Sequence, residues 1–442
     1  VISSEPTIRI GIIDHASRID GEFNGQFTIM NRTATGPFTA LVSSGEIVVT
    51  DAGGVEIVRG RDVYFTAAAG ASFTLHGVTI GIHFHWERKE SQTFCGDVRL
   101  ILRSGGSMCV CNLIAVEEYL VSVISSEMSG TASPEFLKAH AMTSRSWLVA
   151  MLGRQAKNAG VPARRTVEKE GEIVRWYDRE DHDLFDVCAD DHCQRYQGIT
   201  KIVSPAAADA VASTRGAFLV YGEAVCDARF SKSCGGISEA FENCWDDTRI
   251  PYLRPVVDSQ EKHPLISGEP SAKNWICSSP DAFCNTSDVR ILSQILPSVD
   301  LATSNFFRWS VGYSRAELET IIAQKSGMTF GSLKRLVPIE RGPSGRITKL
   351  RIEGTENTIM VGKELEIRRW LSDTHLYSSA FVVETEDGRD GLPAKFRLRG
   401  AGWGHGVGLC QIGAAVMAER GFTAIQIVRH YFTGAEVRRL YA

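Results

Sequence analysis

Period-two alternation of apolar and polar positions dominates the start of the chain. Ile8-Arg9-Ile10-Gly11-Ile12, Glu46-Ile47-Val48-Val49-Thr50 and Thr79-Ile80-Gly81-Ile82-His83-Phe84 read as half-buried strands. Gly53-Gly54 and Gly105-Gly106 mark turns between such runs. Residues 1–112 therefore predict a β-rich N-terminal region. The period changes at Val116. Val116, Leu120, Val123, Ile124 and Glu127 fall at i, i+4, i+7, i+8 and i+11, one face of one helix, which Ser129-Gly130 stops. Ser133-Pro134 then supplies an N-cap and a first-turn proline for a second helix running to about Gly153. Lys138 and Arg145, seven positions apart, share a face of that helix.

Residues 154–200 are polar and irregular. Between 201 and 260 the pattern gives strands and loops, with Ala217–Tyr221 and Val225–Ser231 as strands. Residues 261–345 are loop-rich, with a helix expected at Arg315–Gln324, and read as an insertion or small subdomain. Strands return at Arg346–Ile352 and Phe396–Arg399. Helices Ala414–Arg420 and Ala424–Phe432 close the chain, capped by Gly421 and Gly434. The expected class is α+β: β-rich, with a few helices, and a core of residues 113–260 and 346–442 separated by 261–345.

Composition narrows the function classes. A chain of 442 residues that is 43% hydrophobic can build ordinary cores, which excludes a disordered protein. No apolar run reaches membrane-spanning length, so no transmembrane segment is expected. A net charge of -4 carries no global signature of a nucleic-acid binder. The first residues, Val1-Ile2-Ser3-Ser4-Glu5-Pro6, lack an initiator Met and a signal pattern, as expected of a mature chain or of one expressed with its signal removed. The 11 cysteines are odd in number and irregularly spaced, so at least one lacks an intramolecular disulfide partner.

Four stretches carry candidate chemistry. In Gly402-Trp403-Gly404-His405-Gly406-Val407-Gly408 glycine takes every second place, which cannot pack a strand. In an extended chain Trp403 and His405 point the same way, an aromatic floor beside an imidazole that another molecule approaches closely. The plain alternative is a glycine-rich tight turn. The spacing fits neither G-x-G-x-x-G nor a P-loop. Glu127 stands on an apolar stripe in the last turn of its helix, where desolvation and the helix dipole both favour the proton-bearing form. That form is a general acid. Its plain alternative is a structural ion pair with Lys138 or Arg145. His182, Cys188, His192 and Cys193 put four zinc-type ligands within twelve residues. A Cys188–Cys193 disulfide, or unlinked loop residues, are the other readings. A closed set of this kind is structural and leaves no open position for catalytic water, which disfavours a metal-dependent hydrolase. Finally, Arg229 to Glu239 gathers Ser231, Ser233, Ser238 and paired glycines into a polar loop suited to a sugar or carboxylate. Its Cys234 has no base beside it in the sequence.

Taken in order, these stretches resemble one family. Glu117-Glu118-Tyr119-Leu120, Val123 and Glu127-Met128, followed by Leu137-Lys138-Ala139, Ala141 and Arg145, resemble the opening motif of the stage II sporulation protein D family, also called the LytB or amidase-enhancer domain. The Ser231-to-Ser238 loop, with Trp245 and Pro251-Tyr252-Leu253, is similar to its middle motif. The glycine run, with Gln411, Gly413-Ala414 and His430-Tyr431, is similar to its closing motif. The resemblance covers roughly residues 95 to 437. His140 departs from the family's usual Gln, Cys410 from Ser and Ser238 from Thr.

The resemblance implies a peptidoglycan lytic transglycosylase. Such an enzyme cleaves the bond between N-acetylmuramic acid and N-acetylglucosamine and leaves a 1,6-anhydro end. Glu127 falls on the family's catalytic Glu. The resemblance also implies a glycan-binding groove built from helix 116–128, helix 134–153 and the glycine-rich loops. Lys138, Arg145, Ser231, Ser233, Ser238, Trp403 and His405 are its substrate-binding candidates. It adds weight to a structural zinc at His182, Cys188, His192 and Cys193, while the chemistry itself requires no cofactor. The alternative is a non-catalytic, peptidoglycan-binding activator of a cell-wall amidase. Either reading implies an extracytoplasmic location in the cell envelope.

Overall fold

Alternating burial builds the N-terminal sheet as the sequence predicts. Ile47 and Val49 face inward from strand Glu46–Asp51, and Val98, Leu100 and Leu102 from Asp97–Leu102. The computed structural model describes residues 3–82, 87–129, 132–158, 166–175, 182–190, 192–295 and 305–442. They divide into two compact units. One comprises Val1–Ala132, Asp181–Ala217 and Arg439–Ala442, and the other Ser133–Glu180 and Phe218–Arg438. The class is α+β and rich in strand.

In the first unit, Thr7–Ala16 pairs antiparallel with Met108–Ala115 and parallel with the two residues Val187–Cys188. The sheet continues through Asp97–Leu102, Asp62–Ala67, Arg18–Ile29, Arg32–Ser43 and Glu46–Asp51 to Glu56–Gly60. Strand Ser72–Ile80 stops short of the predicted run to Phe84, and His83 and Phe84 lie outside the described residues. A file of aromatic rings forms the core. Phe23 meets Phe27 at 4.7 Å, Phe73 meets Phe94 at 5.4 Å, and Tyr196 carries the file on to Tyr119 at 5.2 Å. Tyr119 belongs to helix α1 (Val116–Glu127), into which Met108–Ala115 runs directly. The predicted apolar face is buried: Val116, Leu120, Val123 and Ile124 are fully shielded.

The second unit begins with helix α2 (Pro134–Asn158). It runs past the predicted stop at Gly153, because a helix-internal glycine costs only about 1 kcal/mol. Every residue from Ala139 to Val149 is buried. Helices Gln411–Glu419 and Ala424–Tyr431 pack on it, the latter opened by a capping box between Thr423 and Gln426. The predicted strand over Val225–Ser231 shrinks to Ala224–Val225 and Phe230–Ser231. Between them Asp227 turns to accept from Arg154 and Arg229, which pulls the backbone out of a ladder. Helix Arg315–Ser326 forms as expected. Strand Arg308–Ser314 pairs with Pro393–Ala401, and Leu333–Arg341 with Ile347–Gly354. Trp309, Leu318, Leu336, Leu350, Trp370 and Phe396 share the core beneath these sheets.

Candidate functional site

Glu127 ends α1 half-buried, and its Oε1 accepts the backbone N–H of Arg195 at 2.9 Å. That amide belongs to a loop laid along the same helix. Tyr119 Oη donates to Gln194 Oε1 at 3.2 Å, and Gln197 N–H donates to Ser122 Oγ at 3.2 Å. Tyr196 Oη donates to the buried Asn112 at 2.5 Å. The carboxylate is therefore oriented by a segment whose position depends on three further anchors. Arg195 carried no signal in the sequence, because a main-chain donor leaves no mark on residue identity.

Immediately before this loop, the four predicted ligands converge. One ligand atom each from His182, Cys188, His192 and Cys193 lies within 4.8 Å of the others. His182 Nε2 is 3.3 Å from Cys193 Sγ, and His192 Nδ1 is 3.5 Å from Cys193 Sγ and 3.9 Å from Cys188 Sγ. Pairing of Cys188 with Gly11 in the sheet fixes one corner of the set. Cys188 and Cys193 are free thiols, not a disulfide. The Cys188 thiol is held low, chiefly by its contact with Cys193 and then by the two imidazoles. Two sulfurs and two imidazole nitrogens so placed fit a closed tetrahedral zinc site.

The second unit brings together the middle and closing motifs. Phe230–Ser231 pairs in parallel with Leu409–Cys410. Ser233 and Trp403 exchange backbone hydrogen bonds at 2.8 and 3.1 Å, and Glu239 N–H donates to the Gly406 carbonyl at 2.8 Å. The glycine run is not extended, however. Gly402, Gly404, Gly406 and Gly408 all have positive φ, between 74° and 90°. The expectation that alternate side chains share one side is thereby overturned, and the tight-turn alternative holds. A Cβ on Gly408 would stand 2.1 Å from the Arg229 carbonyl oxygen, and one on Gly406 would stand 2.4 Å from the Arg346 guanidinium. The close approach that excludes side chains is made by the protein's own loop.

Arg346 is the residue the sequence hid. Wholly buried, it donates to the Cys234 carbonyl at 3.1 Å, the Gly404 carbonyl at 3.0 Å and Ser344 Oγ at 3.0 Å. Ser344 Oγ in turn donates to Glu239 at 2.5 Å, and Asn243 donates to the same carboxylate at 2.7 Å. Burial pushes the Glu239 carboxyl up, and these donors and the Arg346 charge only partly counter it.

The remaining candidates fall in varied settings. Lys138 pairs with Glu135 at 2.7 Å, and Glu135 also accepts the Ala424 N–H. Arg145 is wholly buried in α2. Ser233 and Ser238 are buried, with Ser238 Oγ accepting the Val256 N–H at 2.8 Å. Ser231 is 7% exposed. Trp403 is half-buried and its ring lies against Phe306 at 4.7 Å and Tyr377 at 4.5 Å. His405 meets the Trp245 ring at 4.6 Å, and its Nδ1 accepts the Val407 N–H at 3.0 Å. Burial, then the charges of Arg229, Arg346 and Arg368, holds this imidazole neutral well below its ordinary range. Cys234 is buried and its thiol is pushed up by desolvation, the opposite of an activated nucleophile.

Two family models match the chain. Stage II sporulation protein matches residues 104–221, and a domain of unknown function (DUF8618) matches residues 239–408. Stage II sporulation protein D of Bacillus amyloliquefaciens is 27% identical over 73% of this chain and 74% of its own length. The protein of that name from Bacillus subtilis (strain 168) is also 27% identical, over the same shares. The amidase enhancer of Bacillus subtilis (strain 168) is 22% identical over 51% of this chain and 31% of its own length. The stage II sporulation protein match spans α1 with Glu127 and the quartet with its loop, and with these relatives it supports the resemblance of this chain to the stage II sporulation protein D family.

Proposed function

We propose that this protein cleaves the glycan strands of peptidoglycan as a lytic transglycosylase, with Glu127 as its single acid and base. The observation that carries the reading is a half-buried carboxylate at the end of α1, oriented by the Arg195 amide, inside the stretch matched by the stage II sporulation protein model. In the reaction Glu127 gives its proton to the glycosidic oxygen as the bond to the muramic acid C1 breaks. The resulting carboxylate takes the proton of the muramic acid 6-hydroxyl as O6 bonds to C1. The nucleophile is already tethered to the sugar, so proximity replaces a bound water and no second carboxylate is required.

Trp403, His405 and Lys138 are the proposed sugar contacts. Ser231, Arg145, Ser233 and Ser238 are all buried, which supports a positioning role for these four instead. His182, Cys188, His192 and Cys193 would hold a structural zinc, which would fix the start of the loop that orients Glu127. Peptidoglycan lies outside the cytoplasmic membrane, so the reading implies an envelope location. Among the described residues no helix is long and apolar enough to cross a membrane.

The test is product analysis. Purified glycan strands digested with the protein should acquire 1,6-anhydromuramyl ends, and Glu127→Gln should abolish them while leaving the fold intact. A second reading, activation of a cell-wall amidase, is favoured by the similarity to the amidase enhancer. Unchanged strands together with faster peptide release by an added amidase would replace the first reading with the second.

A further inference from the structure

We propose that Cys234, Asp258, Cys284 and Cys410 form a second, structural metal site in this chain, taking one divalent ion of the zinc type. It lies wholly within the second unit and does not depend on the proposed reaction. One ligand atom from each residue lies within 4.8 Å of the other three, and all four residues are buried. Cys234 Sγ and Cys284 Sγ are 3.7 Å apart. Two thiolates on a tetrahedral zinc, each bonded at about 2.3 Å, stand roughly 3.8 Å apart. A disulfide needs sulfurs at about 2.05 Å, and it would use two of these thiols and leave the third with the carboxylate.

The surroundings favour a cation. Asp258 is fully shielded from solvent, and among the described residues its carboxyl has only neutral partners: Tyr431 Oη at 2.5 Å, the Cys284 N–H at 2.9 Å and the Cys284 thiol. A buried carboxylate without a counter-charge is costly, and a metal ion is one of the few groups that offset it. Backbone amides already point at the sulfurs. Cys234 N–H donates to Cys410 Sγ at 3.2 Å, and Gly236 N–H donates to Cys234 Sγ at 3.4 Å. Donors of this kind orient thiolate ligands and stabilise their charge. Three thiolates select a borderline or soft ion over calcium or magnesium. On binding, the thiol protons leave to solvent and four protein ligands close the coordination shell, so the ion has no position for water or substrate. Its role is a staple. Cys234 sits in the middle-motif loop and Cys410 at the end of the glycine run, so the ion clamps the two against the segments holding Asp258 and Cys284.

Metal analysis of the full-length protein, isolated without chelator, tests this. Cys188→Ser/Cys193→Ser removes the other cluster. In that background about one equivalent of zinc should remain, should be lost on adding Cys284→Ser, and should be retained with Asp258→Cys. X-ray absorption at the zinc edge should show three sulfur neighbours and one oxygen, a readout that needs no further variant. With the unaltered protein, a thiol reagent should leave peptides bearing Cys234, Cys284 and Cys410 unlabelled until a chelator is added. Absence of zinc from the background protein, a shell poor in sulfur, or a disulfide among these three cysteines would overturn the proposal.

Discussion

Arg346 donates through Nη2 to the carbonyl oxygen of Gly404 at 3.0 Å, so a buried cation at the start of one strand holds a turn of the glycine run 58 residues away. The same guanidinium reaches the Cys234 carbonyl and Ser344 Oγ. Removing it strands several buried acceptors and takes from Glu239 a positive charge that partly offsets its burial. Arg346→Ala should destabilise the protein by about 3 kcal/mol or more. Urea denaturation should show a lower midpoint with an unchanged slope. Arg346→Lys should recover only part of the loss, because an ammonium cannot span the same acceptors.

Gly406 provides an independent check on the same turn. Its φ is 77°, and a Cβ there would meet the Arg346 guanidinium at 2.4 Å. Gly406→Ala should cost roughly 1–3 kcal/mol from backbone strain and displaced contacts, visible as a lower melting temperature. Gly421→Ala meets no neighbouring atom, so its cost should come from its positive φ alone and be smaller.

Stability should also depend on pH through His140. Burial, with a smaller contribution from the charge of Lys232, lowers this imidazole from 6.5 to about 3. The unfolded chain therefore binds the extra proton across that window and the folded chain does not. Stability is complete above 6.5 and falls as the pH drops towards 3, by about 1.4 kcal/mol per pH unit from this group. His140 contacts Gln411 at 2.9 Å and Ser144 at 3.2 Å. His140→Gln should flatten the acid limb of a stability–pH profile while changing little at neutral pH.

Removal of the zinc proposed for the His182, Cys188, His192 and Cys193 set should act on Glu127 through the loop. Chelation should raise hydrogen exchange at the amides of Arg195 and Gln197, which the loop donates to Glu127 and Ser122. The amides of Val98 and Leu100, inside the sheet, should keep their protection. Equal rates at Arg195 and Gln197 before and after chelation would separate the quartet from the carboxylate.

Much of this protein was legible along the chain. The i, i+4, i+7, i+8 spacing from Val116 fixed α1 and its buried face, and alternation at Ile8–Ile12 and Glu46–Thr50 fixed strands and their inward sides. Both follow from periods of 3.6 and two residues, which a short window contains. The His182-to-Cys193 quartet was legible for the same reason, since its ligands lie within one loop. What only tertiary structure decided is separated in sequence. Glycine at 406 reflects a guanidinium at 346, and Cys410 meets the Cys234 amide across 176 positions. Local periodicity says which side of an element is buried. Which distant backbone, charge or thiol it is buried against depends on the packing of whole elements, and no window of sequence contains that.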